Sequence, residues 1–173
     1  MVVAWLEVHG ARVNVPRLVR FAQELCATPL EHAWWSAVGA WLGREDARWR
    51  SLTRLHEGEP LDLDDAAITT LQIQRGGEDP RFTGTSLRVY AKLLRSRVED
   101  VDPPALLARR HPLYLRRVQL GANYRADVWA ALDETPDATP AEIARRVGCA
   151  YATALAVVHD WRLAHEAEGP RAA

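Results

Sequence analysis

The sequence predicts an all-α protein, and three observations carry that prediction. Helix-start signals recur along the chain, each a Pro or a capping side chain set ahead of an apolar run. Apolar residues return at three- and four-residue spacing, as on one face of a helix. Alternating apolar and polar runs are nearly absent, so no large sheet is expected.

In order, Val2 to Val8 is a short apolar run that fits a strand or a buried helical turn equally well. Pro16 suits the first turn of a helix through Leu18, Val19, Phe21, Ala22 and Leu25, with Asn14 or Val15 just outside. Thr28-Pro29 repeats that start, and Leu30, Trp34, Ala37, Val38 and Trp41 form an apolar stripe up to Gly43. Trp49, Leu52 and Leu55 add another amphipathic turn or two before Gly58-Glu59-Pro60. Leu63-Asp64-Asp65 opens a helix with Ala67, Ile68, Leu71 and Ile73, which Gly76-Gly77 stops. Glu78 to Thr85 reads as a loop. Thr85 or Ser86 then caps an expected helix through Leu87, Val89, Tyr90, Leu93, Leu94 and Val98. Pro103-Pro104 starts the next, which Pro112 must kink, interrupt or restart, and Gly121 closes the region.

Composition narrows the function classes. Hydrophobic residues make up 48% and charged residues 26% of the 173 positions, the range of ordinary globular proteins. No GxSxG, HExxH or GxGxxG pattern is present, and Gly76-Gly77 lacks the Lys-Ser/Thr of a phosphate loop, so no catalytic residues and no enzyme are expected. Neither Cys26 nor Cys149 has a second Cys or a His at ligand spacing, and His159 and His165 face different ways, so neither metal nor cofactor is expected. Two isolated thiols suit a reducing compartment. No apolar stretch approaches the roughly 18 residues of a bilayer span, and the opening MVVAWLEVHG has no basic leader. A cytoplasmic protein without membrane contact is the expectation.

The net charge of −1 hides a pattern. Residues 1–80 carry 8 basic and 12 acidic side chains, residues 81–120 carry 9 and 3, and residues 121–173 carry 5 and 8. A positive middle between acidic flanks matters more to a phosphate partner than the total does.

Residues 123–167 carry the functional inference. Asn123 caps a helix containing Val128, Ala131 and Leu132, which Pro136 and Asp137 break. Thr139-Pro140-Ala141-Glu142 is a capping box, in which the Thr hydroxyl and the Glu carboxylate each satisfy an orphan backbone N–H. Ile143, Ala144 and Val147 lead to Gly148, and a second helix rises from Tyr151 to about Glu166. This segment, TPAEIARRVGCAYATALAVVHDW, resembles the bacterial helix-turn-helix: small Ala144 where helices cross, Gly148 in the turn four residues on, and apolar Ile143, Val147, Cys149, Ala154 and Val157 around them. GANYRADVWAALDE ahead of it resembles the lead-in helix of winged-helix regulators of the multiple-antibiotic-resistance and arsenic-repressor kind. The resemblance covers the chain from residue 121 onward.

The resemblance implies double-stranded DNA as partner and transcriptional regulation as function. Arg145 and Arg146 would hold phosphates, while Tyr151, Thr153, His159 and Arg162 would lie at or near the base-reading face. The outward positions Ala150, Tyr151, Ala152, Leu155, Ala156 and His159 are largely apolar, which equally suits docking on protein, as in an antitoxin or accessory subunit. No Gly- and Arg-rich wing pattern appears in Glu166-Ala167-Glu168-Gly169-Pro170. Arg88, Lys92, Arg95 and Arg97, then Arg109, Arg110, Arg116 and Arg117, offer a phosphate-binding flank, or a solvated face paired with Glu99, Asp100 and Asp102. The expected division is a Trp-rich helical region with its basic middle, residues 1–120, followed by a DNA-binding domain, residues 121–173. Adjacent Trp34 and Trp35 cannot both face one core, so residues 1–60 are the expected surface of a homodimer.

Overall fold

The structure, a computed structural model, describes residues 2–167. It is mainly helical, and its strands are limited to one two-stranded parallel pair among the described residues. The chain divides into two compact units. One comprises residues 1–11 and 18–101, the other residues 12–17 and 102–173. The expected boundary at 120/121 therefore moves: the helices from 104 to 120 belong with the carboxy-terminal helices, because their arginines are tied to them by ion pairs. The wing position after residue 167 lies outside the described residues.

The first unit opens with α1 (Val2–His9), which settles the ambiguous apolar run as helix. Helix α2 (Val15–Leu25) contributes Leu18 onward. Helix α3 (Pro29–Leu42) starts at the capping box that Thr28 and Glu31 form around Pro29. A 3-10 segment (Ala47–Leu55) then lies against α3. The approach is close: a Cβ on Gly39 would stand 2.6 Å from the Leu52 Cβ and 2.9 Å from the Trp49 carbonyl oxygen. Trp49 and Leu52 are fully buried there. Trp34 and Trp41 each pack on buried Phe82, at 5.8 Å between ring centroids. Trp34 and Trp35 are both half-buried, so the adjacent pair shares partial cover rather than splitting between core and solvent.

Asp65 caps α4 (Ala66–Gly76), accepting from the backbone N–H groups of Ala67 and Ile68. The helix expected from Thr85 or Ser86 to Val98 does not form. Instead Leu87–Arg88 (β2) pairs in parallel with Leu61–Asp62 (β1), and the extended stretch continues so that Asp79 donates to the Val89 carbonyl and Ala91 to that of Gly77. Burial explains the outcome. Leu87 and Val89 are buried while Arg88 and Tyr90 are half-exposed, a two-residue period over β-branched and aromatic side chains that suits extended backbone. Arg88, Lys92, Arg95 and Arg97 consequently share no helical face.

The second unit contains α5 (Pro104–Arg110), α6 (Pro112–Leu120), α7 (Tyr124–Glu134), α8 (Pro140–Val147) and α9 (Tyr151–Ala167). Pro112 restarts the helix: His111 is extended, its N–H ends α5 on the Leu107 carbonyl, and its own carbonyl takes the Leu115 N–H of α6. Asn123 caps α7 as expected.

Asp127 of α7 sits inside this unit with a fully buried carboxylate. Arg117 of α6 grips it with two bonds of 2.7 and 3.0 Å, and Arg17 and the Asn14 amide each donate to it at 3.0 Å. Burial pushes the Asp127 pKa up, but the hydrogen bonds and charge of Arg117, with those from Asn14 and Arg17, outweigh it and hold the group below its ordinary value. Because the folded-state pKa is depressed, this contribution to stability is present above the unfolded value of about 3.9 and is lost as pH falls through the lower folded one. Asp127→Ala is expected to destabilise the protein by about 3 kcal/mol, since the partly buried Arg17 and Arg117 lose their shared carboxylate. In acid melts, Asp127→Asn should lose part of the parent's decline in stability below about pH 4.

Candidate nucleic-acid interface

Helices α7, α8 and α9 enclose one hydrophobic core. Val128, Ala131 and Leu132 come from α7, Ile143 and Val147 from α8, and Ala154, Val157, Val158 and Trp161 from α9. The buried residues of α9 recur at three- and four-residue spacing, so a single side of the helix turns inward.

Helix α8 begins at the capping box. The Thr139 hydroxyl accepts from the Glu142 N–H at 3.3 Å, and Glu142 accepts from the Thr139 N–H at 2.8 Å. The Glu142 carboxyl is held below its ordinary pKa first by that backbone N–H, then by the Thr139 hydroxyl, with the Arg145 charge assisting. At the other end, Gly148 adopts φ 76° and ψ 38°, the left-handed conformation that a side chain disfavours. That turn lets the N–H groups of Gly148 and Cys149 both reach the Ala144 carbonyl, at 2.9 and 3.1 Å. Three residues, Gly148 to Ala150, thus separate α8 from α9.

With one side of α9 in the core, the other is uncovered. Tyr151, Ala152, Leu155, Ala156, His159, Arg162 and Leu163 are exposed along it, while Thr153 is half-buried at its edge. The large apolar members are conspicuous: Tyr151 is 55% exposed, Leu155 48% and Leu163 51%. Arg145, on α8, is exposed as well.

The other expected phosphate ligands are placed differently. Arg146 pairs with Glu134 and donates to the Thr135 hydroxyl at 3.2 Å, pinning the end of α7 to α8. Arg117 is committed to Asp127. Arg116 binds Asp133 at 2.6 Å, and the same carboxylate accepts the Trp161 indole N–H at 3.1 Å. Arg116 and Arg117 are therefore internal ties that hold α6 to α7. Arg109 is exposed on α5, and Arg110 lies 3.7 Å from Asp102 at the surface. The acids that engage Arg116 and Arg117 are Asp133 and Asp127, not Glu99, Asp100 and Asp102. One sequence signal pointed there: Asp127 stands between Ala126 and Val128 in an otherwise apolar stretch, where a charge must find a partner.

Arg125 adds a surface tie, binding Asp160 of α9 at 2.7 Å with its guanidinium over the Trp129 ring. Among the described residues, no group of three or more His, Cys, Asp or Glu side chains is placed to hold a metal ion, and no helix is long and apolar enough to cross a membrane. The chain matches no family model, no curated protein and no solved structure.

The turn carries the geometry of this unit. Gly148→Val, a β-branched side chain forced into the left-handed region, is expected to cost more than about 1–2 kcal/mol. Ala144→Leu should cost roughly 1–3 kcal/mol by overpacking the crossing. Thermal melts check both, and a parent-like melt for either variant would remove the helix-turn-helix assignment.

Proposed function

We propose that this chain binds double-stranded DNA through α8 and α9 and acts as a transcriptional regulator inside the cell. The observation that supports this reading best is the uncovered stripe of α9 in a three-helix unit whose turn, caps and core all follow the helix-turn-helix pattern. In this arrangement α9 enters the major groove, where Tyr151 and His159 approach base edges and the apolar positions meet thymine methyl groups. Arg145 on the preceding helix and Arg162 further along α9 supply phosphate contacts, with Arg109 as an outlying cation. Arg146, Arg116 and Arg117 act indirectly, by holding the helices in place. Two such chains joined through residues 1–60 would read a two-fold site, and Val2, Trp5, Leu25 and Leu30 are among the exposed apolar groups there.

A second reading has one specific observation in its favour. Tyr151, Leu155 and Leu163 are large, exposed and on one side of α9, and the stripe carries few cations. A surface of that kind also suits docking on a protein partner.

Fluorescence anisotropy on random and selected duplexes over a salt series separates the two. Arg145→Ala is expected to weaken binding to all sequences and to reduce the salt slope by about one unit. Tyr151→Ala should weaken the preferred site selectively, by roughly 1–3 kcal/mol. If both variants bind like the parent, the protein-docking reading replaces DNA recognition.

The dimer is tested by light scattering at micromolar concentration. A dimer that Leu25→Glu converts to monomer is expected. A monomeric parent, with and without DNA, would leave the amino-terminal helices without an assembly role.

A further inference from the structure

In the first unit, the loop of residues 91–97 borders an open cleft of 690 Å³ whose charged lining is Arg81, Lys92, Arg95 and Arg97 against Asp79 and Glu7. The two carboxylates are already engaged. Arg81 grips Asp79 through Nε at 2.9 Å and Nη2 at 2.6 Å, and reaches one Glu7 oxygen at 3.3 Å, while the Ser96 hydroxyl donates to the other. Among the described residues, neither Lys92 nor Arg95 has a carboxylate partner, and Arg97 makes a long surface ion pair with exposed Asp100, at 3.8 Å.

The loop that presents these cations is anchored. Arg81 Nη2 donates to the Leu94 carbonyl at 2.5 Å, the Ser96 hydroxyl ties it to α1, and the Leu93 N–H closes a turn on the Tyr90 carbonyl. Lys92 sits within that turn at φ 71°, the one non-glycine residue with positive φ among the described residues. Glycine occupies such a conformation without steric cost, so a lysine there sits against its backbone preference. It is also the single Lys in a chain that otherwise uses Arg for its basic side chains. A compact ammonium on a flexible stem suits a point contact with a phosphate oxygen, and the flanking guanidiniums suit forked ones.

We propose that this cleft is a phosphate-binding site in which Lys92, Arg95 and Arg97 hold the anion and the Arg81–Asp79–Glu7 cluster fixes the loop. The phosphate belongs either to a free phosphorylated small molecule or to the DNA backbone. The site stands independently of the α8–α9 reading, since its residues lie in the other unit.

Calorimetric titration of the full chain with inorganic pyrophosphate at low salt tests it. Binding is expected, and both Lys92→Gly and the Arg95→Gln, Arg97→Gln double variant should weaken it by about ten-fold or more. Lys92→Gly should melt no lower than the parent, because it relieves the turn, so its loss of binding would not reflect unfolding. No binding by the parent, or binding by both variants within about two-fold of it, would overturn the proposal. Anisotropy of a short labelled duplex identifies the source. Displacement of the duplex by pyrophosphate, with weakened duplex binding in the same variants, assigns the phosphate to DNA. Unchanged duplex binding in the variants, or a duplex that the parent does not bind, leaves the pyrophosphate result intact and assigns it to a free ligand.

Discussion

Removing a carboxylate from water at the buried first turn of a helix costs several kcal/mol unless cations and hydrogen-bond donors replace the lost solvation. Asp127 meets that cost with three side chains from two separate stretches of chain, Asn14 and Arg17 on one and Arg117 on the other. The arrangement of the second unit follows from it. Residues 12–17 belong with the carboxy-terminal helices because two of their side chains complete the Asp127 shell, and Arg117 also reaches the Arg12 carbonyl at 3.3 Å. A buried cluster of this kind adds little net stability over an apolar substitute of equal shape. What it does is bring two separate segments to one carboxylate.

The same economy shapes the candidate interface. Arg116 and Arg117 lock α6 to α7, and Arg146 locks the α7–α8 connection. Guanidinium groups suit these roles because one of them serves several acceptors: Arg117 forks onto Asp127, while Arg116 divides between Asp133 and Gln119 and Arg146 between Glu134 and Thr135. The positive middle of the sequence is thus partly internal wiring, and the uncovered stripe of α9 is more apolar than the local Arg content suggests. Whatever α9 meets, it meets with Tyr151, Leu155, His159 and Arg162 on a scaffold already fixed from behind.

Features whose causes are local could be read in the sequence. The capping boxes at Thr28–Glu31 and Thr139–Glu142 are set by four consecutive residues, and the Gly148 turn by a single backbone requirement. The outward side of α9 was legible through the resemblance to the helix-turn-helix, because apolar residues lie on both sides of that helix. Features decided by distant partners could not be read. Leu87, Val89, Tyr90, Leu93 and Leu94 fit a helical spacing as well as an extended one, and hydrogen bonds to Gly77, Asp79 and Leu61 decide between them. Arg116 and Arg117 looked like phosphate ligands because their acids stand seventeen and ten residues further along. The unit boundary was hidden for the same reason, since nothing near Asn14 announces a partner 113 residues away.

That separation also sets an order of events during synthesis. Asn14 emerges from the ribosome 113 residues before Asp127, an interval on the order of ten seconds at ordinary elongation rates. The residues on either side of 12–17 have their neighbours available early, because the first unit is complete once Val101 has been made. The bonds from Asn14 and Arg17 to Asp127 can form only when α7 arrives, whereas the bond from the Arg17 N–H to the Asn14 side-chain oxygen is local to the stretch. Closure of the second unit therefore joins residues 12–17 to a helix made 113 residues after Asn14.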